Sequence, residues 1–63
     1  MPEQAGRRLL TAKEVAGLMR VSTMTVYRLI NNGELPAYRI ERQVRIDEAD
    51  VSRYLASRYT EAG

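Results

Sequence analysis

The sequence predicts a mainly α fold with a small β-hairpin, about three helices plus a two-stranded wing, and three observations carry that expectation. Capping residues stand before three separate segments whose apolar side chains recur at helical spacing, giving each a single buried face. The first two segments are so close in sequence that they must fold back on one another as a helix-turn-helix. After Pro36 the period changes to two, the alternation of a half-buried strand pair. Together these features make a winged helix-turn-helix.

The first helix begins at Ala12. Thr11-Ala12-Lys13-Glu14 has the form of a capping box, in which the Thr11 hydroxyl accepts from the Glu14 amide while the Glu14 carboxylate reaches back. Val15, Leu18 and Met19 give this helix its buried stripe, small Ala16 and Gly17 let a second helix approach closely, and Leu9 and Leu10 cover its start. The second helix follows Ser22 as N-cap, buries Val26, Leu29 and Ile30, and ends where Gly33 turns left-handed. Only Arg20 and Val21 separate the first helix from that cap.

Pro36 holds Leu35 extended and opens the hairpin. Tyr38 and Ile40 are expected on one face, Val44 and Ile46 on the matching face of the return strand, with Arg39 and Arg45 pointing the other way and Glu41-Arg42-Gln43 at the tip. A lone hairpin is marginal in water, so a third helix must cover its apolar side. That helix is capped by Asp47, runs from about Glu48 to Arg58, and carries a stripe of Val51, Tyr54, Leu55 and Tyr59. Asp47, Glu48 and Asp50 suit its N-terminus, where the macrodipole favours negative charge. Residues 1–8 and 60–63 read as short tails on either side of one domain at 9–59.

A chain of 63 residues supports one modest core, since domains of this size bury only roughly 60 % of their unfolded surface. The absence of cysteine and histidine removes a disulfide framework, a thiolate nucleophile, a zinc-type ligand set and the usual proton shuttle at neutral pH. The expectation is a protein that is not an enzyme and needs no cofactor. Asp47, Glu48 and Asp50 resemble a carboxylate cluster for a metal, but helix capping accounts for them. No apolar run approaches the ~20 residues of a membrane span, and Met1–Arg8 lacks the hydrophobic stretch of a secretory signal. The bacterial cytoplasm is the expected compartment.

Charge is more informative by position than in total. The whole chain has a formal net charge of +2, whereas positions 20–45 hold Arg20, Arg28, Arg39, Arg42 and Arg45 against Glu34 and Glu41, five minus two, or +3. The basic character therefore sits on the second helix and the wing, the electrostatic footprint of a nucleic-acid binder. With Val26, Leu29 and Ile30 inward, Thr23, Met24, Tyr27 and Arg28 lie on the opposite face or its flanks, with Thr25 near the boundary. Arg28 is suited to a bidentate bond with a guanine edge, and Thr23 and Thr25 to a hydroxyl bond or to resting a methyl group on thymine. Tyr27 suits a phosphate or the wing; Met24 has no evident task. Arg39, Arg42 and Arg45 can reach phosphates or the minor groove, contacts that fix register without reading sequence. The alternative is that Arg39 and Arg45 pair with Glu41, Glu34 or the acids of the third helix.

The run from Leu9 to Leu55 resembles the small winged helix-turn-helix proteins related to the DNA-binding domains of MerR regulators, and within them the excisionases (recombination directionality factors) of temperate phages. The resemblance rests on the opening T-x-x-E-V-A, the V-S-x-x-T-V-Y-R segment, the G-E-L-P-A link and the R-x-x-R-I exit from the wing. Glu41 departs from the family, which commonly has glycine at the wing tip. The resemblance implies that the second helix enters the major groove. It makes Ser22, Thr23, Met24, Thr25, Tyr27 and Arg28 the recognition segment and Arg20, Arg39, Arg42 and Arg45 the wing and backbone contacts. The implied partners are double-stranded DNA with direct repeats, further copies of the chain assembling cooperatively, and a tyrosine integrase that the bent DNA turns toward excision.

A module of this kind offers about 600–1,000 Å² of protein surface to DNA and binds modestly as one copy. Full MerR regulators continue with a dimerisation helix and an effector region, for which this sequence leaves no room after its third helix. A small transcriptional regulator without an effector domain, similar to the developmental regulators of filamentous actinobacteria, is the rival reading within DNA binding. From another class, a protein-interaction module such as an antirepressor or antitoxin would turn its arginines to an acidic protein surface.

Overall fold

The computed structural model of the chain describes residues 8–60, in the order β1 (Leu9–Thr11), α1 (Ala12–Met19), α2 (Thr23–Asn31), β2 (Tyr38–Ile40), β3 (Gln43–Asp47) and α3 (Glu48–Ser57). The expected tails at 1–8 and 60–63 lie outside these residues apart from Arg8 and Thr60. The fold is a winged helix-turn-helix in which the strands form one antiparallel sheet of order β1-β3-β2. Among the described residues no helix is long and apolar enough to cross a membrane.

Local signals set the helix ends. The Glu14 amide donates to Thr11 Oγ1 at 3.0 Å and the Thr11 amide donates to Glu14 Oε1 at 2.8 Å, so the capping box is complete. That backbone hydrogen bond is the main reason the Glu14 carboxyl is held below its ordinary pKa, with Arg8 and Arg45 nearby adding to the effect. At the end of α2, Gly33 has φ 78°, and the Gly33 and Glu34 amides close onto the Ile30 and Leu29 carbonyls at 3.0 and 2.9 Å. This glycine-dependent closure turns the chain sharply and delivers Leu35 into the core, where it is 1 % exposed. The end of α1 is closed in the same way without a glycine: Arg20 takes φ 59° and the Val21 amide bonds the Ala16 carbonyl at 3.0 Å.

The core draws on every part of the domain except β2: Leu10 from β1, Val15 and Ala16 from α1, Val26 and Leu29 from α2, Leu35 from the link, Val44 and Ile46 from β3, and Val51 from α3. It is smaller than the apolar stripes suggested. Leu18 is 60 % exposed, Leu55 43 % and Tyr59 76 %, and of α3 only Val51 is buried. Gly17 marks no close approach, since a Cβ there would meet nothing. Leu9-Leu10-Thr11 covers the start of α1 by becoming a third strand. Leu10 lies opposite Ile46, and the Glu48 amide donates to the Arg8 carbonyl at 2.8 Å. Leu10 is buried there while Leu9 stays 41 % exposed.

The wing differs most from expectation. A three-residue tip would set Ile40 opposite Val44, but the turn has two residues, Glu41 and Arg42, and pairs Ile40 with Gln43, Arg39 with Val44 and Tyr38 with Arg45. A slip of one residue moves every side chain of β2 to the other face. Tyr38 and Ile40 therefore share the outer face with Arg45 and are 43 % and 47 % exposed, while Arg39 shares a face with Val44 and remains exposed beyond the edge of the core. Both turn residues have positive φ, 49° at Glu41 and 71° at Arg42, the pattern of a type I′ hairpin turn, whose twist matches that of the strands.

Neither residue is of the type that such a turn favours, so the wing holds avoidable backbone strain. Glu41→Asn should raise the unfolding free energy by about 0.5–1 kcal/mol, because Asn tolerates the left-handed conformation far better than Glu. Urea unfolding followed by far-UV circular dichroism measures this. An equal or lower midpoint would show that the turn is not strained in solution.

Candidate nucleic-acid interface

The inner side of α2 is fixed by Val26 and Leu29, 0 % and 6 % exposed, with Ile30 packed at the core's edge. Helical geometry then forces Thr23, Met24, Tyr27 and Arg28 outward. All four are exposed, Met24 most of all at 80 %. Asn31 joins the same face, three residues after Arg28 and four after Tyr27, and it is exposed as well. The helical period that located the buried stripe, continued on the outer side to the last turn, finds it.

Two members of the expected recognition segment have their hydroxyls occupied within the domain. Ser22 Oγ accepts from the Thr25 amide at 3.1 Å and lies 3.0 Å from Thr25 Oγ1, so the pair closes the N-terminus of α2. Thr25 is also half-buried. Their role is to start the helix at the right residue and thereby aim its outer face.

The five arginines of the basic stretch divide in a similar way. Arg45 is half-buried, and its guanidinium donates to the Val44 carbonyl at 3.0 Å and to Gln43 Oε1, a use inside the wing rather than outside it. Arg20, Arg28, Arg39 and Arg42 are exposed, and none has a hydrogen bond or ion pair from its side chain among the described residues. Glu34, a conceivable partner for Arg39 or Arg45, is engaged by Arg58 at 2.6 Å, whose guanidinium also sits 5.1 Å from the centre of the Tyr54 ring. Asp50 is paired with Arg53. The free guanidinium groups of this stretch thus lie on the turn before α2, on α2, on β2 and at the wing tip, while Arg53 and Arg58 beyond β3 are tied to acids of the same chain.

The acids at the start of α3 have structural tasks of their own. Asp47 Oδ1 accepts from the Ala49 amide at 2.9 Å, and Asp50 is held by Arg53. Among the described residues no group of three or more carboxylates is placed to hold a metal ion.

Comparison with known proteins agrees with this geometry. Residues 9–59 match the family described as helix-turn-helix domain. Two proteins of Mycobacterium tuberculosis are 54 % identical over 61 residues, which span 97 % of this chain and 78 % of theirs. They are named "Putative DNA-binding protein Rv0500A" in strain H37Rv and "Putative DNA-binding protein MT0521" in strain CDC 1551. "Uncharacterized protein YvgK" of Bacillus subtilis is 59 % identical over 44 residues, 70 % of this chain but only 14 % of that much longer one. No solved structure matches the chain significantly. With the match covering the capped first helix, the second helix, the wing and α3, this chain belongs to the helix-turn-helix domain family.

Proposed function

We propose that this protein binds duplex DNA through the outer face of α2 and the tip of its wing, and that it acts as an excisionase. In this reading it occupies direct repeats near a phage attachment site, bends the DNA, and turns a tyrosine integrase toward excision while breaking no bond itself. The observation that carries DNA binding is the division of the arginines. Four of the five between positions 20 and 45 are exposed without side-chain partners among the described residues, and one of them, Arg28, stands on the open face of a helix whose other side is the core. Unpaired guanidinium groups on a small rigid frame suit phosphates and guanine edges. The finer role rests on the resemblance of the V-S-x-x-T-V-Y-R and G-E-L-P-A segments to excisionases. A transcriptional regulator of the same fold is the second reading, since the exposed arginines and the open face of α2 would serve it equally well.

Two substitutions separate base reading from phosphate contact. Arg28→Ala should weaken the specific duplex more than tenfold with the fold intact, since a good bidentate base contact is worth about 1–3 kcal/mol. Arg42→Ala should weaken specific and random duplexes by similar factors and lower the log–log salt slope by about one unit. Fluorescence anisotropy at several salt concentrations measures both. Unchanged affinity in a folded Arg28→Ala protein would remove that residue from the interface, and altered base preference with an unchanged slope would move Arg42 to a base edge.

The excisionase role is tested by recombination. Adding the protein to a candidate tyrosine integrase, its attachment-site substrates and any host bending factor should raise excision and suppress integration. An integrase reaction indifferent to the protein, together with binding spread over many promoters, would favour the regulator.

A further inference from the structure

Met24 is the most exposed large apolar side chain among the described residues, 80 % exposed, and it stands on the second residue of α2. The N-terminal residues of a recognition helix are those that meet base edges. Its neighbours on that face are polar or amphipathic: Thr23 beside it, Tyr27 and Arg28 one turn on. Helix propensity alone would be served as well by Lys, Gln or Glu, which keep the face hydrated. A thioether chain there instead leaves apolar surface in water until something apolar covers it. The major groove offers one such group, the C5-methyl of thymine.

Resting on the proposed DNA binding, we infer that Met24 is a specificity-determining residue that reads thymine through its methyl group. Met24 and Arg28 are separated by four residues and occupy the same row of the helix, about 6 Å apart along its axis. With about 3.4 Å between successive bases of a strand, the thymine lies about two base pairs from the guanine that Arg28 reads. The unbranched side chain follows the methyl through small changes in groove geometry, which a β-branched residue does not. Arg28 and Met24 then read by unlike chemistry, one by hydrogen bonds and the other by burying apolar surface.

The test uses duplexes selected from a random pool by the unaltered protein, with each thymine replaced singly by deoxyuridine, which removes the methyl and leaves base pairing intact. One thymine, about two base pairs from the guanine whose replacement no longer matters to Arg28→Ala, should become sensitive. There the unaltered protein should bind about fourfold more weakly for the lost methyl, while Met24→Ala binds the thymine and uracil duplexes equally. Because Met24 is 80 % exposed and outside the buried core, circular dichroism should show Met24→Ala folded. If no thymine is sensitive, or if both proteins are equally sensitive, the assignment fails while DNA binding stands. Failure to select any duplex would overturn the DNA-binding reading and this inference with it.

Discussion

Burial of Ile46 and Val44 on the middle strand is the interaction on which the rest of the molecule depends. β3 pairs with β1 on one side and β2 on the other, and it packs against both α1 and α3. Ile46 is fully enclosed and Val44 nearly so. Each buried side chain of this size contributes about 1.5–3 kcal/mol, a large share of the margin of so small a domain. α2 is attached at one remove, through its packing on α1. Helix, wing and supporting helix are thus held in one frame by a strand of five residues.

A core this small leaves its mark on what is free to bind. It covers one side of α2 and stops, so the opposite side is open by construction. It also sorts the arginines. Arg45 is spent on β3 itself, Arg53 on Asp50, and Arg58 on Glu34 and Tyr54, where the exposed pairs tidy the α3 surface and add little stability. Between positions 20 and 45, the guanidinium groups left over among the described residues are those of the turn, α2 and the wing. Sharp turns position them: Gly33 relaxes into a left-handed conformation at no cost, whereas Arg20, Glu41 and Arg42 adopt it against their preference.

The caps were legible because they are local. Thr11 with Glu14, Ser22, Gly33 and Asp47 each announce a helix end within three residues, and the inner stripe of α2 follows from its period. What escaped the sequence depends on distant partners. β1 is three residues long and takes its identity from β3, so no alternation of its own could reveal it. The hairpin register turns on whether the tip has two residues or three, and the lack of glycine at Glu41 and Arg42 hid the two-residue turn. Period also states which side of a helix is apolar but not how far the core reaches, which is why Leu18, Leu55 and Tyr59 emerged exposed. At the candidate site, the outward set of α2 and the capping role of Ser22 were readable, while the occupation of the Thr25 hydroxyl and of Arg45 within the domain required the folded arrangement.

The central claim is that the face of α2 opposite Val26 and Leu29, together with the wing tip, is the surface that meets DNA. Titration of the isotopically labelled protein with a selected duplex, followed by amide and methyl NMR shifts, tests it most directly. The largest changes are expected at Thr23, Met24, Tyr27, Arg28 and the Glu41-Arg42 turn, with α3 from Val51 to Ser57 nearly silent. Changes centred on α3, with α2 and the wing tip unmoved at saturation, would contradict it.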